Sequence, residues 1–282
     1  MKKITVLFVV LFALQGIKVQ ADEGMWLPMF IDRLNYTDMQ KLGLQLTAEE
    51  IYSVNNSSLK DAIVGLSNSP KPRGYFCTGE IVSPDGLMFT NHHCGYDAIQ
   101  KHSSVEHDYL ADGFWAMSRE EELPNEELTA SILIRMEDIT DSIIPQLNDS
   151  LSYDERKEIV GKTIKRITKA NAEDGKYNVV IKSFFEGNEY YMFVYQIYKD
   201  VRLVGAPPSS IGKYGGDTDN WMWPRHTGDF SIFRIYTAPD GSPAEYAEDN
   251  IPLKPKHYLP ISLDGIEKGD FSMIWGFPGG TE

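Results

Sequence analysis

Cys77 and Cys94 are the only cysteines in the 282-residue chain, and they stand 17 positions apart with a strand–turn–strand pattern between them. Gly74-Tyr75-Phe76-Cys77-Thr78-Gly79 leads into Ile81-Val82. Pro84-Asp85-Gly86 follows, and Leu87-Met88-Phe89-Thr90 then runs into Asn91-His92-His93-Cys94. The Asp-Gly pair supplies the turn chemistry of a tight hairpin. A bridge between the two sulfurs would close over that hairpin and fix the backbone beside His93. Two buried free thiols are the alternative.

The compartment favours the bridge. Residues 1–21 have the pattern of a secretory signal: Lys2 and Lys3, an apolar run from Ile4 to Leu14, then Val19-Gln20-Ala21 as a small-residue cleavage site. The run is short for a membrane span and no stop-transfer segment follows, so no span is expected once the signal is removed. Thiols oxidise outside the cytosol. Without Lys2, Lys3 and Lys18 the chain keeps 24 basic against 41 acidic side chains, a balance of −17. Such a surface repels nucleic acid and anionic lipid. Residues 22–282 suit one large domain or two smaller ones.

Along the chain, residues 22–46 are rich in aromatics and methionine and read as an N-terminal arm. Thr47-Ala48-Glu49-Glu50 and Ser152-Tyr153-Asp154-Glu155 are capping boxes. The second opens a helix to about Ala172, with Ile159, Val160, Ile164 and Ile167 as its apolar stripe. Helix is expected from Tyr96 to His102, and an acidic loop over Glu120 to Glu127. Strands are expected at Thr129–Met136 (Ile132, Ile134 and Met136 on one face), 177–185, 189–204, Asp229–Tyr236 and Phe271–Trp275. Many short strands with Gly and Pro turns argue for a β-barrel core with helices as insertions.

The layout around the cysteines resembles the chymotrypsin-type fold, in which a bridge closes over the loop that presents the catalytic histidine. That fold is a double β-barrel; here the first barrel and the start of the second are expected, with helical insertions. A serine peptidase needs a base, a carboxylate that orients it, and an attacking serine. His93, directly before the cysteine, is the candidate base, with His92 its competitor. Asp229, at the head of an alternating strand, is the candidate carboxylate, with Asp217 and Asp219 as rivals. An aspartate after glycine is also an ordinary turn residue. Zinc binding by His92, His93 and Cys94 is a weak reading, since adjacent residues rarely reach one tetrahedral centre; no metal and no cofactor is expected.

Thr90-Asn91-His92-His93-Cys94-Gly95-Tyr96 and Asp219-Asn220-Trp221-Met222-Trp223-Pro224-Arg225-His226-Thr227-Gly228-Asp229-Phe230 together resemble the S46 peptidases, bacterial dipeptidyl-peptidases of the 7 and 11 type. Asp22-Glu23-Gly24-Met25-Trp26 and Gly276-Phe277-Pro278-Gly279 fit as well, so the resemblance spans residues 22–282. It implies a metal-free, exported enzyme of the periplasm or cell surface of a Gram-negative bacterium. Such an enzyme releases dipeptides from the free N-terminus of oligopeptides and can form a homodimer. By position, His93 matches the base and Asp229 the catalytic aspartate. Asn220 matches the residue that binds the substrate α-amino group, and Trp221 lines the same end of the cleft. Trp223 is read as core packing. No Gly-x-Ser-Gly or Gly-Asp-Ser-Gly element occurs, and Ser209 and Ser210 precede Asp229 in a Pro-rich loop. The chain therefore reads as an N-terminal part, inactive alone, with the serine beyond Glu282. An envelope trypsin-like endopeptidase and an inactive peptide-binding barrel are the alternatives.

Overall fold

The computed structural model of the chain describes residues 25–220 and 222–279. The signal segment, the Asp22–Gly24 start and Trp221 lie outside the described residues. Among those described, eleven strands join one antiparallel sheet: β1 (Ile63–Ser67), β2 (Cys77–Ile81), β3 (Leu87–Thr90), β4 (Phe114–Trp115), β5 (Leu123–Pro124), β6 (Thr129–Asp138), β7 (Asn178–Phe184), β8 (Glu189–Tyr198), β9 (Asp200–Ala206), β10 (Ser231–Thr237) and β11 (Ile251–Pro252). The order is β4-β9-β10-β3-β2-β1-β6-β8-β7, with β11 beside β10 and β5 beside β9. Two longer helices accompany it, α1 (His92–His102) and α2 (Tyr153–Asn171). No helix among the described residues is long and apolar enough to cross a membrane.

One core gathers side chains from strands far apart in this order: Val64 of β1, Met88 of β3, Ile132 of β6, Leu203 of β9 and Phe233 of β10. They are buried against Ile99 of α1. The sheet is thus curled around α1's inner face. A second core lies under α2, where Val160, Ile164 and Ile167 meet Met192 and Val194 of β8. Ile159, expected in that stripe, is not among the side chains of this core; the buried Thr163 donates its hydroxyl to Gln146 Oε1 at 3.1 Å.

The β2–β3 hairpin forms as its turn chemistry requires. Glu80 pairs with Phe89 and Ile81 with Met88, and Gly86 adopts φ +67°. The Ser83 hydroxyl accepts from the Asp85 and Leu87 amides inside the turn. The Cys77–Cys94 disulfide is present, with Cα atoms 6.0 Å apart. It joins the start of β2 to the first turn of α1. A loop of this length limits the unfolded chain by about 3 kcal/mol.

Several elements differ from the sequence expectation. The helix after the histidines starts at His92 rather than near Tyr96, so His93 and Cys94 sit in its first turn and not at a strand end. The 189–204 segment breaks at Lys199 into β8, which pairs with β6 and β7, and β9, which pairs with β10. A bulge between Leu133 and Arg135 breaks the alternation of β6. Ile132 therefore packs in the first core, Ile134 under α2, and Met136 beside Leu133. Asp229 stands two residues before β10 rather than at its head.

Phe271–Trp275 forms no strand. Phe271 and Trp275 instead pack on Ile31, Leu44 and Ile51 of the N-terminal arm, whose short helices cover Pro28–Phe30, Ile31–Leu34 and Tyr36–Lys41. Two aromatics spaced for a strand face serve equally well as anchors of an irregular wrapping segment. That segment ends with the Phe277 amide donating to the Thr78 hydroxyl of β2, at 2.9 Å.

The expected acidic loop holds a buried acid. Glu122 is 6% exposed. It accepts from Arg234 Nε at 2.9 Å and from the Tyr236 hydroxyl at 2.7 Å, both on the far half of β10. Burial and the facing Glu122 carboxylate push the Tyr236 phenol up. Removing one partner of such a buried ion pair leaves the other charge stranded. Glu122→Ala should cost about 3–5 kcal/mol, the range for breaking a buried pair. Urea unfolding checks it; a loss under about 1 kcal/mol contradicts the burial argument.

Candidate active site

Helix α1 begins immediately after β3, with Asn91 as its N-cap residue. The first amides of a helix lack partners within it. The Asn91 side chain does not cap α1. A carboxylate from another element does so instead: the His93 amide donates to Asp229 Oδ1 at 3.1 Å. The helix macrodipole favours a negative charge at this end.

The second carboxylate oxygen faces the imidazole. His93 Nδ1 and Asp229 Oδ2 are 2.8 Å apart. An ionised carboxylate only accepts, so Nδ1 carries the hydrogen, and in the neutral ring Nε2 keeps its lone pair. The Asp229 side chain is 15% exposed and the His93 side chain 63%. The acid is thus held inside the fold while the ring is open to a second partner.

Asn91 closes the arrangement. Its Nδ2 lies 3.2 Å from the Asp229 carbonyl and 3.4 Å from Oδ2. Its own carbonyl accepts from the Ser231 hydroxyl at 2.8 Å. The register beneath is Ser231 opposite Thr90, so the two halves of the site leave the same end of the β3–β10 pair. Close approach of α1 to β10 needs Gly95: a Cβ there would stand 2.6 Å from Ser231 Oγ. Asn91 and Gly95 belong to the motif quoted from the sequence but carried no role there, and Ser231 carried none either. The polar residue just ahead of a helix start was the available signal, and misplacing that start hid it.

His92 points the other way. With Gly95 and Ile99 it forms the buried stripe of α1, because neighbouring helical residues project about 100° apart. It is 2% exposed. Of the two histidines, His93 is the one hydrogen-bonded to Asp229. The rival acids are elsewhere: Asp217 pairs with Lys213 on the surface and Asp219 is exposed.

Cys77 Sγ, Cys94 Sγ and a His93 nitrogen lie within 4.8 Å of one another. The sulfurs are bonded to each other, so neither is the thiolate a zinc site would use.

Asn220 lies just after the helical turn Gly216–Asp219. Its Oδ1 accepts from Arg225 Nη2 at 3.2 Å. Trp223, expected in the core, is 90% exposed; it belongs to a loop that the sheet does not cover. Phe230, next to Asp229, stands 6.3 Å from the ring of Trp115, and Gly205 leaves the room for that indole. This aromatic pair beside the acid was also missed, since Trp115 lies on a two-residue strand.

A histidine–carboxylate pair is thus fixed between a helix start and a strand end, beside a disulfide on an antiparallel sheet. The chain belongs to the peptidase S46 family, whose family model matches residues 21–282. It is 56% identical over 263 residues to the dipeptidyl-peptidase 7 of Capnocytophaga gingivalis, covering 93% of this chain and 36% of that protein. It is 48% identical over 277 residues to an Asp/Glu-specific dipeptidyl-peptidase of Flavobacterium psychrophilum, covering 98% of this chain and 37% of the relative. The crystal structure of Porphyromonas endodontalis DPP11 in complex with the dipeptide Arg-Glu matches with a TM-score of 0.77 at 46% identity, covering 88% of this chain and 36% of that one. The chain thus spans little more than a third of the length of these relatives.

Burial holds the His92 imidazole below its ordinary value of 6.5, outweighing the nearby Asp229 carboxylate and the Pro207 carbonyl, which act in the opposite direction. A depressed folded value means that the unfolded chain binds the proton first. Stability from His92 is therefore complete above about pH 6.5 and falls as the pH drops below it. Melting temperatures from pH 7.5 down to 5 should decline, and His92→Phe should flatten that decline. An equal slope in the variant would assign the loss to other groups.

Proposed function

We propose that this chain is the base-bearing part of an exported serine dipeptidyl-peptidase, which releases dipeptides from the free N-terminus of oligopeptides. The observation that carries the reading is the 2.8 Å contact between His93 Nδ1 and Asp229 Oδ2. It leaves Nε2 available to take a hydroxyl proton. The attacking serine is assigned to the part of the relatives' length that this chain does not span. In that scheme the serine oxygen adds to the carbonyl of the second residue and its proton passes to His93 Nε2. The C–N bond then breaks as His93 returns the proton to the leaving amine. Asp229 holds the ring tautomer and stabilises the imidazolium.

The curled sheet is the first barrel of a chymotrypsin-like double barrel in this proposal, with the second barrel and a helical domain in the remainder. Asn220 receives the substrate's α-ammonium group: its amide oxygen has a second lone pair besides the one engaged by Arg225. The apolar start of the chain, Ile4 to Leu14 behind Lys2 and Lys3, supports export to the periplasm or cell surface, as does the disulfide.

The test uses the complete gene product on matched peptides with free and N-acetylated ends. Dipeptides should be released from the free peptides only. Equal cleavage of both would identify a trypsin-like endopeptidase, and no cleavage by a folded protein would identify a peptide-binding barrel. His93→Ala should lower kcat by roughly 10⁴-fold or more, as removal of a triad base does. Asn220→Ala should act mainly on KM for free-ended peptides, since an amine contact held throughout the reaction contributes uniform binding. A fall in kcat at constant KM would place Asn220 in the chemical step instead.

A further inference from the structure

His92 is enclosed by the segment that delivers Asp229. A Cβ on Gly212 would stand 2.3 Å from His92 Cγ and 2.4 Å from Cδ2, so the imidazole lies flat on the Gly212 backbone. Gly212 ends the helical turn Ser209–Gly212. That turn is tied to the residues just before the acid. The Thr227 hydroxyl lies 3.2 Å from the Ile211 carbonyl and 3.0 Å from that of Gly212. The Gly228 amide donates to the Ile211 carbonyl at 2.9 Å. Gly228 is itself pressed on Ile211, since a Cβ there would come within 2.8 Å of its Cγ2. Asp229 follows directly and returns to His93.

The contacts therefore close a ring: His92, Gly212, Thr227 and Gly228, Asp229, His93, and back through one peptide bond to His92. His92–His93, Ile211–Gly212 and Thr227–Gly228–Asp229 are joined covalently; the contacts between these three pieces are packing and hydrogen bonds. His92 is costly as mere filling. Its Nε2 is buried without a hydrogen-bond partner, a cost that an apolar ring would avoid. Burial lowers the imidazole's affinity for a second proton, which disfavours an added positive charge beside the His93–Asp229 pair.

We infer that His92 is a positioning residue, whose imidazole seats the Ser209–Gly212 turn and through Thr227 and Gly228 sets the place of the Asp229 carboxylate against His93. This rests on the reading of His93 and Asp229 as the proton-transfer pair. Displacements near 1 Å at such a pair can cost about 10²-fold in rate.

The test is a cycle of His92→Ala, Gly212→Ala and the double variant in the complete gene product. Rates are normalised to active sites titrated with a serine-reactive fluorophosphonate, and crystal structures are solved for the same variants. His92→Ala should lower kcat per titrated site on the order of 10²-fold with KM little changed. The separation of His93 Nδ1 and Asp229 Oδ2 should lengthen from 2.8 Å past hydrogen-bonding range. Gly212→Ala alone should have a similar effect by displacing the ring. With alanine already at 92 it should cost no more than about threefold further, as expected for coupled neighbours.

An unchanged kcat per titrated site, with losses confined to melting temperature and active fraction, would overturn the inference. So would an unchanged His93–Asp229 separation in the variant crystals. Should His92→Ala fail to fold, Gly212→Ala, which keeps the ring, decides by the same two readouts. A wild-type protein that releases no dipeptide would sink the proposed activity alone, and the crystallographic separation would still decide the role of His92.

Discussion

One carboxylate holds the site together by doing two jobs at once. Asp229 accepts the otherwise unpaired His93 amide with one oxygen and the His93 ring with the other. The first contact belongs to secondary structure: it completes a helix start whose own cap residue makes no such bond. The second belongs to chemistry. Because both reach the same residue, the helix cannot settle against the strand without also bringing its imidazole to the acid. Asn91 reinforces this from the opposite side, holding Asp229 with its side chain and Ser231 with its backbone.

The disulfide and the sheet act on the same helix from behind. Cys94 lies one residue past His93 and is bonded to the head of β2. Ile99, two turns on, is anchored in the core shared by β1, β3, β6, β9 and β10. Helix α1 is thus pinned near its start by a covalent link and further along by packing. The exposed His93 ring depends on a well-buried support.

Much of this was legible in the sequence, for reasons specific to each part. The hairpin followed from Asp85-Gly86, the helix α2 from the Ser152–Glu155 box, and the bridge from two cysteines flanking that hairpin behind a signal-like start. His93 and Asp229 were named from position, and the structure brings them together. What was hidden depended on tertiary partners. The start of α1 was obscured because its cap comes from a residue 136 positions away. The break at Lys199 carries no Gly or Pro mark; β8 and β9 part because they pair with different strands. Glu122 looked like surface charge because Arg234 and Tyr236, which bury it, lie over a hundred positions on.

The register of β3 with β10, Thr90 opposite Ser231, has an evolutionary consequence. His93 and Asp229 hang just beyond the same end of one antiparallel pair, so strand alignment brings them to one place before any contact of the intervening chain adjusts them. The α2 insert between β6 and β7 takes no part in that pairing and is free to grow, shrink or be exchanged, unlike β9, which pairs with β10, and the Ser209–Gly212 turn, which holds Thr227. A single deletion inside either of the two strands is different in kind. It would slide one partner by about 3.3 Å and turn its side chains to the opposite face. Tolerance to change should therefore be distributed very unevenly along this chain, generous over long inserts and nearly nil over a few residues of ladder.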